Sequence, residues 1–557
     1  MLRRSNYTRY IVAIITVLAV LSFLAANGWA DEENGNSNGN YGLMSLVPPI
    51  LAIVLCIILK EALVSLLIAV VVGVTILNSG NLWTAFENTA NILIAQVADE
   101  WNASIILFFF LVGGLMGMIF FSGGGQAFLE SISKKANNSR MAQIFPWLGG
   151  IVVFIDDYAN SAFVGNLFRP LSDKYYISRE KLSYIVDSTA APVSSIFLIS
   201  TWIGYQVGTI GDSLPEGITV SPYFLWLNSV PYSFYSILAI LMVGIIACTG
   251  RDFGPMLKAE HRARTTHQLW AEDARPLSGT SDLQVAKNAS KNSLNLWIPI
   301  ILLIVLSFYF MWMSGGGSEA ESFSQAISDA DSMFAIMLAT LIAFFVALVM
   351  YIVQRIATVA ELMDSFLNGA KMMVYATLIL VAAWSIKEVC DQLGTAPFIV
   401  NALEGILSPL MLPILTFIVS CFVAIFTGTS WGTMGIVVPI VIPLAVSVGA
   451  PLPIVISSVL TGAVMGDHCS PISDTTIMSS TFSGSDHMDH VKTQFPYSIL
   501  VALIAIVCYV LVGVGLPVIV VLVIGAALLY LSIMVLSTLS AKQLGITFPL
   551  EKEVSKP

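Results

Sequence analysis

Four carboxylates stand in stretches of this sequence that are otherwise nearly free of charge: Asp156 and Asp157 in the run FIDDYANSAFVG, and Asp467 and Asp474 in GDHCSPISDTT. Asn160 follows the first pair, and Ser470, Ser473 and Thr475 surround the second. A third polar run, FTGTSWGT, contributes Thr427, Thr429 and Ser430, and a fourth, VDSTAAPVSS, contributes Asp187 and Ser194. Carboxylates, hydroxyls and carbonyls freed where a helix breaks are the ligands that hard cations take. Asp156, Asp157, Asp467 and Asp474 are therefore candidate sodium ligands, and the other named residues complete a candidate ion- or substrate-binding site. His468 suggests a transition metal, but only the adjacent Cys469 stands at a ligand spacing, too few groups for such a centre.

The elements that must position these groups are helices in lipid. Of 557 residues, 57% are hydrophobic and only 11% are charged, far from the balance of a water-soluble domain. Apolar runs of about 20 residues, the length that crosses a hydrocarbon core, recur along the chain. The fold class is an all-α polytopic membrane protein, since the alternating segments of roughly ten residues that build a barrel are missing. A net charge of -10 without a basic face excludes a nucleic-acid partner. The six cysteines are scattered singly and read as packing residues. No HExxH or nucleophile-and-base constellation argues for an enzyme. In such a setting an ionisable side chain costs roughly 3 kcal/mol or more, so it marks an ion pathway unless it merely caps a half-helix.

Charge placement divides the chain. Residues 1–30 read as a signal peptide or an extra first helix, and the acidic, Asn/Gly-rich residues 31–43 as a periplasmic linker. Membrane repeat 1 spans 44–249, a polar cytoplasmic loop with seven basic residues spans 250–293, and repeat 2 spans 294–515. Residues 516–557 add a transmembrane helix and a cytoplasmic tail. Basic stretches flank residues 141–168 on both sides, and 28 residues are too few for two crossings of about 20, so this segment reads as a re-entrant hairpin. With Lys and Arg counted on cytoplasmic loops, Lys387 is the one basic residue of 25 left outside. Lys387-Glu388 reads as an ion pair at a helix end, and DHMDHVK (486–492) as a cytoplasmic turn.

The two halves share an order of elements. The hairpin 141–168 followed by VDSTAAPVSS has a counterpart in a hairpin at 409–442 followed by a broken helix at 452–482, with Pro192 opposite Pro471 and Asp187 near Asp467. Each repeat would hold about five transmembrane helices, and the opposite starting sides make the repeats inverted, which places a substrate site near the midplane where the breaks meet. That pattern argues for alternating access rather than for a channel.

The combination of FIDDYANS, TGTSWGT and GDHCSPISDTT resembles the NhaC family of sodium/proton antiporters over roughly residues 44 to 515. The resemblance implies secondary active exchange of sodium for protons across a bacterial inner membrane, with a hairpin-bearing domain moving against a scaffold. The partners it implies are the lipid bilayer, sodium ions and protons, with a homodimer joined through the scaffold and no cofactor. It also carries an alternative, since the family includes malate/lactate-type carriers: a sodium- or proton-coupled transporter of an amino acid or small organic acid. The absence of Lys and Arg deep in either hairpin weighs against an anion site.

Overall fold

The computed structural model describes residues 41–546 together with Thr16 and Phe548, leaving out 60, 134–137, 155–156, 198–199, 216–219, 221, 278–284, 291, 321–322, 324–325, 327–329, 372, 396–397 and 399–407. The segments 1–30 and 31–40, and with them the signal-peptide reading, lie outside the described residues except for Thr16, as does most of 394–407. Among the described residues every regular element is a helix, and eight helices are long and apolar enough to cross a membrane.

The first half comprises α1 (Val47–Leu59), α2 (Ala62–Leu77), α3 (Leu82–Ala98), α4 (Glu100–Phe121) and α5 (Gly124–Ser133), then α6 (Ser139–Val152), α7 (Asp157–Lys174), α8 (Arg179–Asp187), the single turn α9 (Ala191–Ser194), α10 (Thr201–Asp212), α11 (Pro222–Ser229) and α12 (Phe234–Thr249). The polar loop contains α13 (Gly254–Thr266). The second half comprises α14 (Leu294–Ser314), α15 (Ser332–Val353), α16 (Val359–Lys371), α17 (Val374–Gln392), α18 (Leu412–Thr427), α19 (Ser430–Val448), α20 (Leu452–Cys469), α21 (Asp474–Ser483), α22 (His487–Gly513) and α23 (Val518–Leu544).

Local chemistry sets the interruptions. Asp99 caps α4 by accepting the Asn102 amide at 2.9 Å, and Gly428, at φ 68°, ends α18 in the left-handed conformation that glycine adopts without steric cost. Thr429 and Ser473 then cap α19 and α21 through their hydroxyls. Two helices run past internal prolines: α7 continues through Pro170 to Lys174, and α19 through Pro439 and Pro443 to Val448. Proline deletes one backbone bond, and helical neighbours in a membrane bundle tolerate that loss.

Apolar side chains collect into two main cores. One joins α1, α2, α4, α14, α15 and α17 with residues of α7, α8 and α21, and the other joins α10, α11, α12, α18, α19, α20, α22 and α23. The helix pairs α6–α7 and α18–α19 each turn back on themselves and pack against the broken segments that follow them, α8–α9 and α20–α21. At Gly150 an added Cβ would lie 2.1 Å from Thr189 Oγ1, and at Gly428 it would lie 2.7 Å from the Ile472 carbonyl. In both halves, therefore, a glycine lets a hairpin touch the break in the next helix.

Candidate functional site

A cavity of about 190 Å³ opens where these interruptions converge, between the two cores. Asp157 at the start of α7, Thr427, Thr429 and Ser430 around the α18–α19 turn, Asp467 on α20, and Asp474 and Thr475 at the start of α21 all line it. Asp467 is 2% exposed. Its Oδ2 accepts from Ser430 Oγ at 2.8 Å and Thr475 Oγ1 at 3.4 Å, while its Oδ1 is buried with no hydrogen-bond partner among the described residues. Asp474 Oδ2 accepts from the Tyr158 hydroxyl at 2.7 Å, and Asp157 Oδ1 accepts from Trp202 Nε1 at 3.2 Å. Three carboxylates thus share one enclosed space, each with an oxygen held in place by a named donor.

The structure places the remaining candidates elsewhere. Asp156 lies outside the described residues. Asn160 is a stitch rather than a cavity wall: its amide donates to the Gly150, Val153 and Thr189 carbonyls at 2.7 to 2.8 Å, closing the α6–α7 turn over the break after α8. Ser470 donates to the Ile425 carbonyl at 2.7 Å, and Ser473 caps α21 through the Thr476 amide at 3.3 Å. Ser194 is fully buried and stands off the cavity lining. Asp187 sits behind the cavity, where it accepts from Gln494 Nε2 at 2.6 Å, Ser479 Oγ at 3.1 Å and Thr476 Oγ1 at 3.3 Å.

Two readings of the sequence need correction. Lys387 lines the cavity, with its Cε beside Gly432 at the α18–α19 turn, and Glu388 accepts from Gln392 at 2.7 Å, so the Lys387-Glu388 pair reading fails. The fold carries the end of α17 against the second hairpin, which linear order does not reveal; the signal available was the isolation of Lys387 as the one basic residue outside. The run 486–492 is not a solvated turn: Asp486 caps α22 through the Asp489 amide at 2.9 Å, and His487 and His490 are 2% and 0% exposed. Tyr158, Trp101, Asn102, Trp384 and Trp431 also line the cavity and were not singled out.

Interrupted helices meeting around buried carboxylates, inside a bundle in which eight helices among the described residues are long and apolar enough to cross a membrane, define a multi-pass secondary transporter. The profile of the Na+/H+ antiporter family matches residues 193–514, and an uncharacterized protein of Haemophilus influenzae is 32% identical over 484 residues, covering 84% of this chain and 90% of that one. The chain belongs to the Na+/H+ antiporter family. Shorter similarities link it to the arginine/ornithine antiporter ArcD of Halobacterium salinarum, 29% identical over 153 residues (28% of this chain and 32% of that one). A malate-2H(+)/Na(+)-lactate antiporter of Bacillus subtilis is 38% identical over 66 residues, 12% of this chain and 14% of that one.

Proposed function

We propose that this protein exchanges sodium for protons across a bacterial inner membrane by alternating access, with Asp467 as the principal cation ligand. The observation that carries the reading is the unsatisfied Asp467 Oδ1, buried in the wall of a cavity that Asp157 and Asp474 share. A desolvated carboxylate is stable when a positive partner neutralises it, and a proton and a sodium ion are competing partners for the same oxygens. Hydroxyls of Thr427, Thr429, Ser430 and Thr475 line the same space and suit a hard cation. If only neutralised forms of the site cross the membrane, the two ions exchange obligatorily. The hairpins and broken helices would move together against helices α1, α2, α4, α14, α15 and α17.

Lys387 favours a second reading. A cavity of about 190 Å³ holding an ammonium group as well as carboxylates suits a small organic acid or amino acid better than a bare ion. The names of two antiporter relatives point the same way. A pH-gradient assay in proteoliposomes separates the readings. Sodium alone should dissipate an imposed gradient, and Asp467→Asn should abolish the response. A response only to malate, lactate, arginine or ornithine would reject sodium as the exchanged substrate.

A further inference from the structure

Off the cavity lining lies a second cluster of buried polar groups. His490 Nε2 is 2.8 Å from Gln494 Oε1, and its Nδ1 is 2.8 Å from Ser480 Oγ. His487 Nε2 is 2.8 Å from the Pro471 carbonyl, and its Nδ1 is 3.1 Å from the same Ser480 Oγ. Gln494 donates through its Nε2 to Asp187 and to the His468 carbonyl, both at 2.6 Å. A carbonyl only accepts, so this pair of bonds fixes the Gln494 amide with its oxygen toward His490.

The Pro471 carbonyl requires a hydrogen on His487 Nε2, and Gln494 Oε1 requires one on His490 Nε2. With both rings neutral, both Nδ1 atoms are acceptors, and both face the one hydroxyl hydrogen of Ser480, which the Thr476 carbonyl at 2.8 Å also attracts. The cluster is short of a hydrogen. One added proton removes the deficit: His490 Nδ1–H donates to Ser480 Oγ, and Ser480 donates its own hydrogen to His487 Nδ1. Shifting both hydrogens along this line breaks the N–H bond at His490, remakes the O–H bond at Ser480 and leaves the new N–H bond on His487. The net change is one positive charge moved between rings.

The surroundings suit a single added charge. Asp187 Oδ2 is 3.9 Å from His490 Nε2 and 3.7 Å from His468 Nε2. From the other packed elements, Tyr235 on α12 binds His468 Nδ1 at 2.7 Å, and Thr476 on α21 bridges Asp187 and the Asp467 carbonyl at 3.3 and 3.5 Å. At the chain turn before His487, the Asp486 carboxylate is held by the Arg275 amide at 2.7 Å, and Arg179 is held on the Ser483 carbonyl at 2.6 Å. A second proton would place two cations on rings that share one serine, which like-charge repulsion opposes.

We infer that His490, Ser480 and His487 form a site for a further exchanged proton that coupled exchange requires, in addition to the proton that competes with sodium at Asp467. The assignment deepens the antiport reading and rests on it. In proteoliposomes containing a pH dye, His490→Gln should keep radiolabelled sodium self-exchange within about twofold of the unsubstituted protein while sodium-driven proton flux falls at least about tenfold, a change of ~1.4 kcal/mol. Sodium-driven proton flux that survives undiminished in His490→Gln, with an unchanged pH profile, overturns the assignment. Nitrogen-resolved NMR of histidine-labelled protein in nanodiscs reads the same site without transport or substitution. One imidazolium per chain should appear at His487 or His490 as pH is lowered, and if neither ring takes a proton between about pH 5 and 8 the assignment fails. Failure of the antiport reading is seen separately, as the absence of sodium-driven proton flux in the unsubstituted protein.

Discussion

Asp467 and Lys387 bring a carboxyl group and an amine into one cavity, so their substitutions should act in opposite directions on a cation. Removing the ammonium with Lys387→Met should tighten apparent sodium affinity, by about tenfold if the repulsion it relieves is ~1.4 kcal/mol. The sodium concentration giving half-maximal proton flux measures this. If the substrate is an organic anion, the same variant should lose transport instead. Asn160 makes a different kind of contribution. Its amide serves three carbonyls at once, and Asn160→Ala should lower stability by about 1–3 kcal/mol because those acceptors are left buried without donors. Thermal unfolding in detergent would read the loss, and a variant as stable as the unsubstituted protein would remove Asn160 from that role.

Among the elements, the two hairpin-to-break contacts are the most exacting. Gly428→Ala would strain a backbone at φ 68° by about 1–2 kcal/mol and press a Cβ against the Ile472 carbonyl; Gly150→Ala would meet Thr189 with normal backbone angles. Both variants should lose stability, and both should slow transport by displacing the cavity wall, which flux per folded molecule would reveal. These interruptions were legible in the sequence because TGT, SPIS and STAAP are polar, Gly- or Pro-bearing runs inside apolar ones. The carboxylates Asp157, Asp467 and Asp474 were legible for the same reason, their cost in an apolar run. The surroundings were less so. Asp187 and Asp467 have similar sequence contexts, yet one sits behind the wall and the other in it, because helix rotation decides which way a side chain faces. Lys387 and the two histidines sit near helix ends, where polar residues are ordinarily solvated, and only tertiary packing buries His487 and His490.

At the scale of the whole molecule, a polar plate joins α8 to the 250–293 loop and to α22. Lys181 pairs with Asp252, both side chains 1% exposed, and Asp252 also accepts from Tyr497 Oη at 2.5 Å. Glu180 binds Arg262 at 2.8 Å, and Glu260 binds Arg264 at 2.9 Å while accepting from Ser178 Oγ at 2.8 Å. Breaking the most buried of these pairs from one side leaves an uncompensated charge, so Lys181→Met should cost roughly 3–5 kcal/mol. Lys181→Met combined with Asp252→Asn should recover most of that loss, since the stranded charge is gone. Thermal unfolding of the single and double variants decides between a clamp and an incidental contact.

The aromatic residues at the cavity carry one more consequence. Trp101, Trp384 and Trp431 line it, and Trp202, bonded to Asp157, lies edge-on to Trp431 with ring centroids 5.8 Å apart. Four of the eleven tryptophans in the chain therefore lie at or beside the cavity that Asp157, Asp467 and Asp474 share. The protein holds its own fluorescent reporter, and titrating sodium into unlabelled protein should shift or quench the emission in a way that Asp467→Asn erases.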